Sequence, residues 1–305
     1  MAQSVKKMAA AVKLTRRRFA KVQPQECIYR NTTSRSRGDF MLLLVTGAAN
    51  GIGACIVEQA IHAGHQLIAT DMDGAALAAR WGEHPSIRCA TLDVRQEAEW
   101  QSLFNSLNRE RLTVDVLINV AGVLRSGRTG ELVGDQVTLT LDVNVKGVIF
   151  GTNAAAAHMI SAGRRGQIIN IGSVASLCPV PGNAVYATSK FAVRGFSIAA
   201  AGDLRPYGIA VSLVGPGPVK TAMLEQQRGD ENSALTFAGS RALTPAEVAK
   251  AVVGPVMKQR PLEYYLPWQD GLLGRVSNAA PGFFLRMTRY ASKRGYKNFE
   301  SDNFR

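Results

Sequence analysis

Apolar runs rich in β-branched residues recur at 41–46 (MLLLVT), 66–70 (QLIAT), 86–91 (SIRCAT), 114–119 (VDVLIN), 167–171 (QIINI) and 208–214 (GIAVSLV). Helix-length stretches lie between them, at about 51–64, 74–82, 96–110, 135–162 and 184–206. Strands that read as near-continuous apolar runs are covered on both faces, and strands that alternate with helices build parallel sheets. The pattern predicts an α/β fold, a Rossmann-like doubly wound parallel sheet with right-handed crossovers in one domain. After the sixth strand, 219–243 is polar and contains Gly and Ser. Thr244-Pro245-Ala246-Glu247 then reads as a helix start, with a Thr cap, Pro at the first helical position and Glu at the third. A short last strand is expected at 263–267.

The boundaries this implies are a leader over 1–40, a catalytic domain over 41–270 and a helical tail over 271–305. The composition is that of a globular protein, 46% hydrophobic and 19% charged over 305 residues. It excludes collagen-like, wholly disordered and disulfide-scaffold classes. Four widely spaced cysteines without a CxxC pair point to a reducing, cytoplasmic setting and no structural zinc. His62, His65, His84 and His158 form no ligand set, so they read as surface residues and no metal is expected. No apolar run approaches the roughly 18–20 residues that span a bilayer.

The net charge of +13 is uneven. Residues 1–40 hold ten Lys/Arg against Glu26 and Asp39. The plain reading is a solvated basic arm, so no nucleic-acid partner is expected; a nucleic-acid binder would show salt-dependent binding lost with the arm. Thr15-Arg16-Arg17-Arg18-Phe19 resembles a twin-arginine signal, but polar residues follow where an apolar segment is needed. An organelle transit peptide, or an upstream extension before a start at Met41, fits the same leader.

Thr46-Gly47-Ala48-Ala49-Asn50-Gly51-Ile52-Gly53 stands between the first strand and a helix. Small residues there allow a sharp turn and close approach to a pyrophosphate, and the helix N-terminus offers free N–H groups. The strand–turn–helix setting makes this a dinucleotide site. Asp71 ends the second strand, where a carboxylate accepts from ribose hydroxyls and repels a 2′-phosphate. With no cation at 48–50 or 72–73, NAD(H) is expected over NADP(H).

Asn119-Val120-Ala121-Gly122 ends the fourth strand, Ser173 ends the fifth, and Tyr186-Ala187-Thr188-Ser189-Lys190 follows thirteen residues later. With the glycine turn, these motifs resemble the short-chain dehydrogenase/reductase superfamily, in its compact branch, over about 41–267. Tyr186 and Lys190, four apart, share a helix face. A nearby ammonium favours the phenolate, so Tyr186 can exchange a proton with an alcohol or ketone while hydride moves at the nicotinamide. Ser173 donates to the same substrate oxygen. The resemblance implies that Lys190 also holds the nicotinamide ribose. It implies that Asn144 interrupts its helix and anchors a relay water. It places Asp93-Val94 at the adenine, Asn119 in the cofactor site, and Val219 and Thr221 in the segment closing over the nicotinamide amide. Family members are usually homodimers or homotetramers.

Leu177, Cys178, Pro179, Val180 and Pro181 suggest an apolar wall beside Ser173, with Lys220 and Arg228 within possible reach. A lipophilic secondary alcohol or ketone is the expected substrate: steroid, retinoid, terpenoid or acyl. An NADPH-dependent ketone or 3-oxoacyl reductase is the alternative. A non-catalytic dinucleotide sensor is a third reading, against which the complete Ser, Tyr and Lys argue. Pro281–Tyr290 mixes apolar residues with cations, as an interfacial helix does, so peripheral membrane contact through the tail is a further expectation.

Overall fold

The computed structural model describes residues 40–299 and 303–304. The basic leader, with its targeting and upstream-start readings, lies outside the described residues. Seven parallel strands form one sheet in the order β3-β2-β1-β4-β5-β6-β7. They are β1 Leu42–Thr46, β2 Gln66–Asp71, β3 Ile87–Thr91, β4 Val116–Asn119, β5 Gly166–Ile171, β6 Ile209–Pro216 and β7 Glu263–Leu266. The tail expected from residue 271 onward belongs to the same compact unit as the sheet, Phe40–Arg305.

Both faces of the sheet are covered, which explains the apolar runs. On β1, Leu43 and Val45 face one layer and Leu44 the other. The first layer comes from α1 (Gly51–His62), α2 (Gly74–Trp81) and α7 (Pro245–Ala251), through Ile56, Val57, Leu77 and Val248. The second comes from α3 (Glu97–Arg109), α5 (Gly147–Ser161) and α6 (Ala184–Leu204), through Trp100, Phe104, Met159 and Leu204. Trp100 is fully enclosed and its indole N–H donates to the Val94 carbonyl at 3.0 Å. Truncating such a residue to Ala costs about 3–5 kcal/mol.

The helix expected over 135–162 is not continuous. α4 (Gly134–Leu141) passes through a π-helical turn, Asp142–Lys146, before α5 begins. A π-turn adds one residue to the helical circuit and is a frequent mark of functional sites. The N-terminus of α7 carries the expected capping box: Thr244 Oγ1 accepts from the Glu247 N–H, and Glu247 accepts from the Thr244 N–H at 2.7 Å. Arg241 and these bonds hold the Glu247 carboxyl down at about 2.

His158 corrects the expectation of four surface histidines. It is only 4% exposed, with Nε2 accepting from the Val114 N–H at 3.2 Å and Nδ1 2.8 Å from Asn108 Oδ1. Burial lowers its pKa, so it is a neutral core residue that satisfies the start of β4. Among the described residues no group of three or more His, Cys, Asp or Glu is placed to hold a metal.

Candidate active site

Strand order reverses between β1 and β4, and in such sheets ligands bind beyond the carboxyl ends of the strands at that point. The glycine turn lies there. Thr46 Oγ1 accepts from the N–H groups of Val120 and Ala121, at 2.9 and 3.1 Å, tying the two strand ends together. Gly47 has φ +65°, and a Cβ on it would stand 3.0 Å from Ala121 Cα. A Cβ on Gly53 would collide with the Gly47 carbonyl. Asn50 caps α1 without a side-chain cap bond, Ile52 follows Gly51, and the first turn carries no acid. The cradle is therefore backbone-lined and electropositive, and it fits a pyrophosphate.

The turn is braced by residues the sequence pattern did not single out. Ala48 donates to the Thr70 carbonyl at 3.0 Å and accepts from the Trp81 indole at 2.9 Å. Asp71 Oδ2 accepts from the Ala49 N–H at 3.0 Å and Oδ1 from the Asp73 N–H at 3.1 Å. Asp71 thus stands at the β2 end, fixed against the turn where an adenosine ribose would lie. Asp93 pairs with Arg95 at 2.7 Å, which holds its carboxyl below the usual range. Val94 is 8% exposed beneath it. Asn119 turns its side chain into the core, donating to Asn170 Oδ1 at 2.9 Å, so only its backbone faces the cofactor end of the sheet.

Ser173 caps a short turn, Val174–Ser176; its Oγ accepts from the Ala175 N–H at 3.1 Å, and its N–H donates to Ser176 Oγ at 3.3 Å. The Ser173 side chain faces the Tyr186 phenol and draws its pKa down. Burial nevertheless pushes that phenol up to about 12. Lys190, one turn on, donates to the Ile171 carbonyl at 3.1 Å and lies 5.6 Å from the Tyr186 ring centre. Burial pushes its ammonium down to about 8. The expected lowering of the phenol by the ammonium does not dominate here: burial raises the Tyr186 pKa, and Ser173 offsets only part of it.

Asn144 lies in the π-turn, 1% exposed. Its Nδ2 donates to the Val123 carbonyl at 2.9 Å and to Ser189 Oγ at 3.0 Å, and its Oδ1 accepts from the Val123 N–H at 2.8 Å. Gly122 fits between the groups: a Cβ on it would be 3.3 Å from Asn144 Oδ1 and 3.9 Å from Lys190 Nζ. The Ala121-Gly122 pair therefore lies against the glycine turn on one side and near Lys190 on the other. Thr221 closes the far side, its methyl 3.5 Å from where a Gly51 Cβ would be, and Val219 beside it is 8% exposed.

The substrate side departs from expectation in one residue. Leu177 is 1% exposed and packs with Val193, Leu213 and Tyr265 beneath α8 (Trp268–Ala279), so it is core rather than wall. Pro179, Val180 and Pro181 line an open apolar depression with Ala184, Ala187, Thr188 and Phe191, and neither Ser173 nor Tyr186 lines it. Arg228 is held by Glu225 at 2.9 Å and by the Phe304 carbonyl at 3.1 Å. Asp270 was missed altogether. It is half-buried on α8, its Oδ2 2.9 Å from where a Gly217 Cβ would stand, and its charge acts on Cys178. The signal for it was faint: it is the one acid in 264–299. The tail helix α9 (Pro281–Asn298) then pins 231–237, with Asn298 donating to the Phe237 carbonyl at 2.8 Å and Phe304 buried beside Leu224 and Phe237.

The family model described as short chain dehydrogenase matches residues 42–232. The chain is a short-chain dehydrogenase. This dehydrogenase is 35% identical over 218 residues to the NADP-dependent 3-hydroxy acid dehydrogenase YdfG of Salmonella typhi, covering 70% of this chain and 87% of that one. It is 35% identical over 213 residues to the 3-alpha-(or 20-beta)-hydroxysteroid dehydrogenase of Mycobacterium bovis, covering 69% and 80%. Among solved structures it is similar to a closed form of serine dehydrogenase complexed with NADP+, at 31% identity and TM-score 0.67 over 74% of this chain and 94% of that one. The short-chain dehydrogenase is thus an NAD(P)-binding oxidoreductase acting on hydroxyl groups.

Proposed function

We propose that this enzyme interconverts a lipophilic secondary alcohol and its ketone with NAD(H). The observation that carries the chemistry is the grouping of Ser173 with the buried Tyr186 phenol and of Lys190 one helical turn on, 5.6 Å from the phenol ring centre, at the end of β5. Gly47, Asn50, Gly51, Ile52 and Gly53 hold the pyrophosphate, Asp71 the adenosine ribose, Asp93-Val94 the adenine, and Lys190, Val219 and Thr221 the nicotinamide riboside. When bound there, the nicotinamide would supply the hydride acceptor or donor and, in its oxidised form, positive charge beside the phenol. Ser173 and Tyr186 grip the substrate oxygen. Tyr186 takes the hydroxyl proton in oxidation and gives it back in reduction. Lys190 stabilises the phenolate. The Asn144 side chain is spent on Val123 and Ser189, so a relay water would rest on the π-turn backbone.

Asp71 supports NAD(H): its carboxylate occupies the ribose end of β2, Asp73 follows, and no Lys or Arg stands at 71–79 to neutralise a 2′-phosphate. The names of the Salmonella relative and the serine dehydrogenase structure pull towards NADP and keep an NADPH-driven reductase as the second reading. Asp270 bears on substrate. A half-buried carboxyl between Gly217 and Cys178 opposes an anionic hydroxy acid and accepts a neutral, apolar alcohol. A homodimer is part of the proposal, since the outer face of α6 presents the small residues Thr188, Ala192, Gly195, Ala199 and Gly202, with Asp203 at its end, and allows close helix approach.

The test is a panel of steroid, terpenoid and short hydroxy-acid substrates followed at the nicotinamide absorbance with each cofactor. Turnover of neutral alcohols with NAD+ is the expected result. Preferential turnover of hydroxy acids with NADP+ overturns both specificity assignments.

A further inference from the structure

Among the described residues, nine of the seventeen exposed large hydrophobic side chains fall within 268–296. Such concentration marks an interaction surface rather than scattered exposure. On α8, Trp268, Leu272 and Val276 recur at four-residue spacing on the face opposite Gly271 and Gly274, with exposures of 67, 55 and 57%. On α9, Phe283, Met287 and Tyr290 share one exposed face, on the side away from Gly295, which packs against Ala234. Beside that stripe runs a second one of Arg286, Arg289, Lys293 and Lys297, all exposed. The only acid in 264–299, Asp270, points inward towards Gly217.

We propose that α8 and α9 dock this enzyme on an anionic lipid bilayer, lying in the interface without crossing it. An apolar face bordered by uncompensated cations matches acyl chains beneath phosphate headgroups. No described helix is long and apolar enough to span a membrane, which fits in-plane docking. A second copy of the chain is the poorer occupant. A two-fold contact sets a patch against itself, and here that opposes five or more like charges with no acid between them. Docking also orients the enzyme. The inner face of α8 meets Gly217 through Asp270 and Leu177 through Gly274, so the docked helix is tied to the segments that follow β5 and β6. The surface stands on exposure and charge alone and does not depend on the substrate assignment.

The test is flotation of the full chain with vesicles of phosphatidylcholine alone or with one quarter phosphatidylglycerol. The expected result is flotation with the anionic vesicles only, weakened at high salt. Trp81 and Trp100 are buried, so a vesicle-induced blue shift of tryptophan fluorescence reports Trp268. Two variants separate the parts: Leu272→Ser/Phe283→Ser removes apolar contact, and Arg289→Glu/Lys293→Glu reverses charge. Both alter exposed side chains, and an unchanged thermal melt confirms the fold. Each is expected to lower the floated fraction about tenfold. Failure of the parent chain to float overturns the proposal. So does equal flotation of both variants, which assigns binding to the basic leader, or a dimer in light scattering that the Leu272→Ser/Phe283→Ser variant dissociates.

Discussion

The Lys190 ammonium lies 5.6 Å from the centre of the Tyr186 ring, and burial moves their two pKa values in opposite directions, to about 8 and about 12. Each group is held closer to neutrality than in water. A phenol at about 12 keeps its proton through the neutral range, which suits it to give a proton in reduction; to take one in oxidation it needs added positive charge nearby.

The lysine shift has a stability consequence. Its folded pKa of about 8 lies below the ordinary 10.5, so between those values the unfolded chain binds the extra proton. Stability from this group therefore rises as pH climbs through that window, and below about 8 the full cost of burying the ammonium is present. Lys190→Met is expected to melt higher than the parent at pH 7, by on the order of 2–3 kcal/mol. The advantage should shrink towards pH 10 while turnover is lost at every pH. Thermal melts across that range check it.

The proposed preference for NAD(H) rests on Asp71. Replacing it by Ser and Met72 by Arg removes the repelling carboxylate and adds a phosphate partner. The ratio of NAD+ to NADP+ efficiency should fall about a hundredfold or more, as expected when an ion pair forms where two like charges had repelled. The Ala49 N–H would be deprived of its acceptor, so a drop of about 1 kcal/mol in stability should accompany the switch. Saturation curves with both cofactors measure it.

The glycine turn has no room at its third position. Gly53→Ala drives a methyl into the Gly47 carbonyl and must open the turn. Cofactor affinity, read by NADH fluorescence, should fall about tenfold or more while the fold survives at a cost of about 1–3 kcal/mol.

Asp270→Asn keeps the shape of the α8 contact and removes the charge. Efficiency with anionic hydroxy acids should rise about tenfold while neutral alcohols change little. Burial raises the Asp270 pKa, so the ionised carboxylate is disfavoured in the fold and stability declines as pH rises past its unfolded value. The Asn variant should therefore melt above the parent at pH 7.

The sheet was legible, and the candidate catalytic residues could be named, because both are written locally. Strands buried on both faces are apolar at every position, and Leu42–Thr46 differs from the expected 41–46 by one residue. Ser173, Tyr186 and Lys190 announce themselves by spacing. What stayed hidden depends on packing from elsewhere. The family resemblance pointed to a break at Asn144, but Asp142–Lys146 has helical composition and its residues alone do not show the added residue of a π-turn. His158 sits in an alanine-rich helix, and only the Val114 amide and Asn108 reveal why it is buried. Leu177 reads as cleft lining until α8 covers it. Asp270 gains meaning only when β7 brings α8 back over Gly217.

The most direct measurement is the comparison of Tyr186→Phe with the parent enzyme, with cofactor binding and turnover measured side by side. Removing one hydroxyl from a proton-transfer position should leave NADH affinity within about threefold and reduce kcat by about a hundredfold or more. Turnover at the parent rate by a variant that still binds cofactor would contradict the assignment of Tyr186 as the proton-transferring group.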